Sequence, residues 1–430
     1  MNNLGPAASL RLGSQIQAAK ATNWLLGGLG DLLVQVENPK WRENPYPLYE
    51  QIRQKGPLYR GLSGTWATTS HALCNQVLRD RRFGVKNADG SPVTGGALGA
   101  VANTYPESFL DQDPPDHTRL RRLAAPAFNP KRVDGYRPRV QQIVDSLLDK
   151  IEGQETFDLI KDLAAPLPIT VISDLLGIPD ADRGDFAEYG ARIGEGLSGV
   201  HSIRQAKDLI HVGSELVALF DRLLKERTKD PGDDVISSLA TAVGEEKMTA
   251  RELHGTAMLL LLAGFETTVN LIGNGVHALL AHPEQWAQLR DKPELAAAMT
   301  EEALRYDPPV QATMRIAHAD IELAGETIKS GQLVGVMLAA GNRDPEVYPE
   351  PDKFDITRTG GPEHLAFSSG IHYCIGARLA RIEGEILFRS LAERMPLLRQ
   401  AGPLERRESS TIRGLRAFPV TAKFPAQRSQ

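Results

Sequence analysis

The stretch "FSSGIHYCIGARLAR" (residues 367–381) places Cys374, one of two cysteines in a chain of 430 residues, between Gly370 and Gly376 and two residues after His372. Behind it Ile375, Leu379, Ile382 and Ile386 recur at helical spacing while Arg378, Arg381 and Glu385 lie off that stripe, which predicts a helix with the thiol at its N-terminus. Unpaired amides and the positive end of a helix dipole favour a thiolate, so a lowered pKa is expected. Gly370 and Gly376 carry no side chain and leave room for a flat, bulky group to approach the backbone. A free cysteine is often no more than a small buried hydrophobe, which is the reading for Cys74 in "HALCNQVL". For Cys374 two further readings stay open at this point, a nucleophile with His372 as its base or a metal ligand. No carboxylate partner or oxyanion-hole motif accompanies the histidine, which weakens the hydrolase reading.

Working outward, 41% hydrophobic and 24% charged residues suffice for a large core, and a formal net charge of -5 gives no support to wholesale nucleic-acid binding. Two cysteines so far apart make neither a disulfide framework nor a zinc or redox pair, and a reducing cytoplasm is expected. The apolar run "WLLGGLGDLLVQV" (24–36) is shorter than the roughly 20 residues a bilayer requires, is interrupted by Gly27, Gly28, Gly30 and Asp31, and is not followed by a cleavage site. It reads as a surface or core-packed segment rather than a transmembrane one, with a membrane-touching amphipathic piece as the alternative. Residues 84–108 read as a long loop of the kind that forms lids. Residues 116–242 are mostly amphipathic helix; in "RVQQIVDSLLDKI" (139–151) Val140, Ile143, Leu147, Leu148 and Ile151 share a face. Strand-like pieces are short: "TWATTS" (65–70), "MRIAHADIEL" (314–323), "QLVGVMLAA" (332–340) and "RAFPVTAKF" (416–424). The expected class is mainly α with small β-sheets (α+β).

One helix stands out. "TARELHGTAMLLLLAGFETTVNLIGNGVHALLAHP" (249–283) opens with Thr249 and Glu252 as a capping box and ends before Pro283, a span of roughly 50 Å. Its apolar centre is broken by Gly264, Glu266, Thr267 and Thr268. A threonine hydroxyl there is expected to bond a carbonyl one turn back, and a buried acid needs a partner or a proton.

The cysteine stretch resembles the ligand loop of the haem-thiolate monooxygenases, the cytochrome P-450 family, in which Phe and Gly precede a Cys followed by x-Gly. The resemblance continues, in the family's order, through "DPPDHTRLRRL" (113–123), "AGFETT" (263–268), "EALR" (302–305), "MRIA" (314–317) and "NRDPEVYPEPDKFD" (342–355), and covers roughly residues 39–418. The motif variants look like bacterial, particularly actinobacterial, members. It implies an N-terminal extension (1–38) before one haem-thiolate monooxygenase domain (39–430), with haem b between the long helix and the cysteine helix. By the same resemblance Cys374 is the axial iron ligand, and Phe367 and the amides around Gly376 shield and tune the sulfur. His117, Arg121, Arg315 and His372 grip the haem propionates. Glu266 and Thr267 deliver protons to bound molecular oxygen, and Ala263 and Gly264 leave space for oxygen and substrate. Glu302 and Arg305 pair structurally with a basic residue, usually Arg, whose matching position holds Lys353, a departure because Lys lacks a planar fork. Leu259, Leu262, Ala263, Val310, Gln311 and Ile412 line the distal pocket, which implies an apolar small molecule of polyketide, terpenoid, steroid or fatty-chain type.

No flavin or iron–sulfur motif is present, so electrons are expected from a ferredoxin and its NAD(P)H-dependent reductase, with Arg119, Arg122, Arg378 and Arg381 as a candidate docking patch. The alternatives are a peroxide-driven haem peroxygenase and a non-enzymatic haem sensor; the Glu266–Thr267 pair argues against both.

Overall fold

The long helix begins where the capping box places it. In the computed structural model, which describes residues 5–93, 106–196, 200 and 202–422, Glu252 N–H donates to Thr249 Oγ1 (3.2 Å) and Thr249 N–H donates to the Glu252 carboxylate (2.8 Å). The helix runs Ala250–Ala281, about 48 Å at 1.5 Å per residue, and Pro283 starts the next one. Among the described residues it alone is long and apolar enough to cross a membrane, yet 72% of its apolar window is buried within the protein. It is the axis of the core: helices Pro166–Leu176, Arg183–Gly196, Ala296–Tyr306 and Ala377–Arg394 all pack on it.

The remaining patterns resolve much as their periodicities predict. Helix Arg137–Ile151 buries the five predicted apolar positions and Val144, against the cysteine helix. The strands form small sheets. The largest takes β1 (Tyr59–Arg60), β2 (Trp66–Thr68), β3 (Phe83–Gly84), β4 (Thr313–Ala317) and β5 (Leu333–Val336) in the order β1-β2-β5-β4-β3. The β2–β5 pair alone is parallel, with Ala67 opposite Gly335. A C-terminal hairpin pairs Glu405–Arg406 with Leu415–Ala417.

The apolar run 24–36 divides: Trp24, Leu25 and Leu29 lie exposed at the end of helix Pro6–Gly28, whereas Leu32 joins the core and Leu12 and Ile16 anchor the helix earlier. Of the expected lid loop, residues 94–105 lie outside the described residues.

The cysteine helix buries an acid, Glu383, at 2% exposure, and burial alone pushes its pKa up from 4.5 to about 8. Folded protein therefore keeps a proton that the unfolded chain releases, and this group erodes stability as pH rises from about 4.5 to about 8, with no further loss above. Glu383→Gln should remove that slope. Denaturant unfolding should show the variant's advantage over the parent growing across this interval, by ~2 kcal/mol or more; a gap independent of pH contradicts the assignment.

Candidate active site

Cys374 lies two residues before Gly376, the cap of helix Ala377–Arg394, and its own N–H donates to the Phe367 carbonyl at 2.9 Å. The loop between is tight. Gly370 has φ +68°, and a Cβ there would sit 2.3 Å from the Leu78 carbonyl, so glycine is required by neighbouring backbone. Gly376 behaves as expected: a Cβ would meet only Cys374 Sγ, at 4.0 Å, with open space otherwise. Phe367 is buried, with the Arg381 guanidinium 4.5 Å above its ring.

The thiol itself departs from expectation. Desolvation pushes the Cys374 pKa up, outweighing the Gly376 amide and the charges of Arg121 and Arg381, which pull it down. Helix-end electrostatics are present but lose to burial. Cys374 nevertheless retains accessible surface, as does Ala263 in the middle of the long helix, where Leu260, Leu261, Phe265 and Glu266 are buried. Accessible surface on two otherwise buried elements is what an internal space between them would leave.

Four basic side chains gather beside the loop. His117 and Arg121 lie one turn apart on helix Asp116–Ala124, Arg315 is on β4, and His372 is in the loop. The His117 and His372 rings stand 4.4 Å apart, and Arg121 donates to the Tyr373 carbonyl. Burial, then the charges of Arg315, His117 and Arg121, hold His372 down at about 3; burial lowers Arg315 to about 10 and also depresses Arg121. None of the four has an ion-pair partner among the described residues, and both His372 ring nitrogens are buried without a hydrogen bond. Asp113, whose field reaches His117 and Arg315, accepts from the Val85 and Lys86 amides.

On the long helix, Thr267 Oγ1 donates to the Ala263 carbonyl at 2.6 Å, the predicted back-bond. Glu266 is 1% exposed and has the partner its burial demands: Arg407 Nη1, 2.9 Å from Oε1, carried by the C-terminal hairpin. Nothing near Glu266 in sequence announces Arg407. The signal available was the polar stripe Glu266, Asn270, Asn274, spaced by four residues along an otherwise apolar helix. At Gly264 a Cβ would lie 3.3 Å from Ile172 Cδ1, so its missing side chain lets helix Pro166–Leu176 pack closely.

The structural pair is buried as expected, with Arg305 donating to both Glu302 oxygens at 2.8 Å. Its basic companion is not Lys353. The Lys353 ammonium points to Glu350 and Asp355 at 3.9 and 3.7 Å, and only its carbonyl takes part, accepting from Arg305 at 2.9 Å. Arg358 supplies the fork, 3.4 Å from Glu302 and bonded to the Pro349, Glu350 and Lys353 carbonyls. The basic companion is therefore Arg358, five residues beyond the expected position.

Pocket candidates separate too. Leu259 and Leu262 are half-buried, and Val310 bridges Ile412 as an isolated β-pair. Gln311 is withdrawn from the pocket: it is 1% exposed, donates to the Pro308 carbonyl and accepts from Tyr49 Oη. Of the docking candidates, Arg119 pairs with Asp116 and Glu252, Arg378 with Asp134, and Arg381 with Glu301, so three of the four cations are already neutralised.

The cytochrome P450 family profile matches residues 92–403. The chain belongs to the cytochrome P450 family. It is 37% identical to the "Biotin biosynthesis cytochrome P450" of Bacillus subtilis (strain 168) over 383 residues, 88% of this chain and 96% of that one. Its structure superposes on P450BioI in complex with hexadec-9Z-enoic acid ligated acyl carrier protein with a TM-score of 0.83 at 37% identity, covering 89% of this chain and 99% of the other. On CYP109E1 from Bacillus megaterium in complex with testosterone the TM-score is 0.80 at 33% identity, covering 90% and 99%. The protein is therefore a cytochrome P450 monooxygenase by family.

The Glu302 assignment separates two variants. Arg358→Ala should cost about 1–3 kcal/mol in equilibrium unfolding, because it strips a donor from a buried carboxylate. Lys353→Ala should stay within about 0.5 kcal/mol of the parent, as exposed substitutions do; equal costs contradict the reassignment.

Proposed function

We propose that this cytochrome P450 binds haem b through the Cys374 thiolate and inserts one atom of dioxygen into a C–H bond of an apolar small molecule, using electrons from a ferredoxin and its NAD(P)H-dependent reductase. The observation that carries the haem assignment is the set of basic side chains without ion-pair partners among the described residues, His117, Arg121, Arg315 and His372, beside a cysteine that keeps accessible surface. Arg121 and Arg315 are cations without such a partner, costly to bury unless a ligand supplies the anions, and two carboxylates on one flat group, with the histidines as further donors, meet that requirement. The raised thiol fits as well, since a cation at the sulfur turns it into a thiolate whatever its pKa without one. When bound, haem supplies the oxygen-activating chemistry.

The chain's own residues do the rest. Cys374 is held by its N–H bond to Phe367, and Arg121, donating to Tyr373, ties the basic cluster to the ligand loop. Ala263 and Thr267 share a helix face and both keep accessible surface, so the Thr267 hydroxyl would be able to hand on a proton to oxygen bound on that side. Leu259, Leu262, Val310 and Ile412 supply aliphatic wall, which supports an apolar substrate, and two related structures hold a fatty acyl chain and a steroid. The ferredoxin reading rests on the lack of flavin and iron–sulfur motifs, and draws little on the arginine patch, now largely ion-paired.

Two outcomes are expected. Arg315→Gln should weaken haem retention by about ten- to a hundredfold in transfer to apomyoglobin, with helix content unchanged, as befits loss of a charge-assisted bond; unaltered retention removes Arg315 from the cradle. In a screen for spin-state shifts of the haem spectrum, fatty acids, terpenoids, steroids and macrolactones should shift the Soret band, and a turned-over hit should carry one atom from 18O2. Shifts confined to polar compounds, or label entering only from water, contradict the proposal.

A further inference from the structure

The long helix presents two polar stripes, and they face different things. Ala263 and Thr267 keep accessible surface, whereas Glu266, Asn270 and Asn274 are buried facing the C-terminal hairpin. The hairpin is fixed to that second stripe. A Cβ on Gly414 would sit 1.9 Å from Asn270 Oδ1, so only glycine allows the approach, and Asn274 Nδ2 donates to the Arg413 carbonyl at 3.1 Å. Arg407 N–H donates to the Gly414 carbonyl at 3.2 Å, closing the loop and setting the position from which its guanidinium reaches Glu266 Oε1 at 2.9 Å. Asn270 Nδ2 lies 3.4 Å from the same oxygen. On the other side, a Cβ on Gly194 would fall 2.9 Å from Glu266 Oε2, so helix Arg183–Gly196 closes over the carboxylate through a glycine.

We propose that Arg407 is the positioning residue of the oxygen-side proton supply: it holds Glu266 as a carboxylate on the hairpin side of the helix, one stripe away from Thr267, and is the edge through which that acid meets solvent. Glu266 is sealed at 2% side-chain exposure while Arg407 keeps 20%. A buried carboxylate stays ionised where a cation faces it, and replacing that cation by a neutral group makes protonation the cheaper state. The hairpin that bears Arg407 also bears Ile412, which pairs with Val310 at the candidate substrate wall, so a ligand pressing on that wall pushes on the segment that sets Arg407.

This inference rests on reading Glu266 and Thr267 as the proton-delivering pair, and its test separates the two. Holoenzymes carrying Arg407→Gln, Arg407→Lys, Glu266→Gln and Arg407→Gln with Glu266→Gln are compared, each checked for haem content. Isotope-edited infrared spectra of the resting proteins report the acid without turnover: a protonated carboxyl stretch should appear in R407Q, be absent in the parent and R407K, and vanish when E266Q is added. Turnover through a [2Fe–2S] ferredoxin and its reductase, without added substrate, reports proton supply as peroxide released per NADPH. R407Q should change that ratio at least threefold, R407K should restore most of it, and R407Q should add nothing once E266Q is present. If E266Q alters the ratio while R407Q changes neither it nor the carboxyl spectrum, the role of Arg407 is overturned and the acid–alcohol reading stands. If E266Q leaves the ratio unchanged, the acid–alcohol reading falls and this inference with it.

Discussion

A sulfur atom enclosed by protein resists ionisation, and the surroundings of residue 374 oppose that resistance without overcoming it. The Gly376 amide and the guanidinium groups of Arg121 and Arg381 pull the thiol towards its anion, while desolvation pulls harder the other way. A metal cation at the sulfur would tip that balance towards the thiolate. The same imbalance, with the sign reversed, recurs at the basic cluster, where Arg315 and His372 are driven towards neutrality by burial and lack acids of their own. An iron porphyrin carrying two carboxylates answers both deficits at once, and the long helix and cysteine helix fix the space in which it would do so.

The long helix shows how one element serves several surfaces. Its apolar residues make it the axis of the core, Gly264 admits a neighbouring helix, Ala263 and Thr267 keep accessible surface, and Glu266, Asn270 and Asn274 receive the hairpin. Its central polar groups find bonds at a distance as well as locally: Thr267 to a carbonyl one turn back, Asn274 to two backbone carbonyls, Glu266 to a cation. The hairpin thus connects the acid to the substrate wall through covalent continuity alone.

What was legible in sequence follows from how local each signal is. The capping box at Thr249–Glu252, the burial stripe of helix Arg137–Ile151 and the Thr267 back-bond are set within a turn or two of chain, and all appear in the structure. Motif order carried the family, and with it the basic cluster, whose members come from three separated segments and share no local pattern. The failures are contacts between distant segments. Arg407 reaches Glu266 across 141 positions of chain, a separation no periodicity encodes. Arg358 replaces Lys353 because the loop after Phe354 turns its fork back onto Glu302. Gln311 looked like pocket lining by position and is instead held between Tyr49 and Pro308. The thiol pKa was misjudged because helix-end charge can be read from sequence whereas desolvation depends on everything packed around it.

The most direct measurement is the absorption spectrum of the haem-loaded protein, chemically reduced and exposed to carbon monoxide, for the parent and for Cys374→His. Thiolate ligation from Cys374 predicts a strongly red-shifted Soret band in the parent and its replacement by an ordinary, blue-shifted haem–carbonyl band in the variant. A folded, haem-loaded parent without the red-shifted band, or a variant that keeps it, would contradict the account.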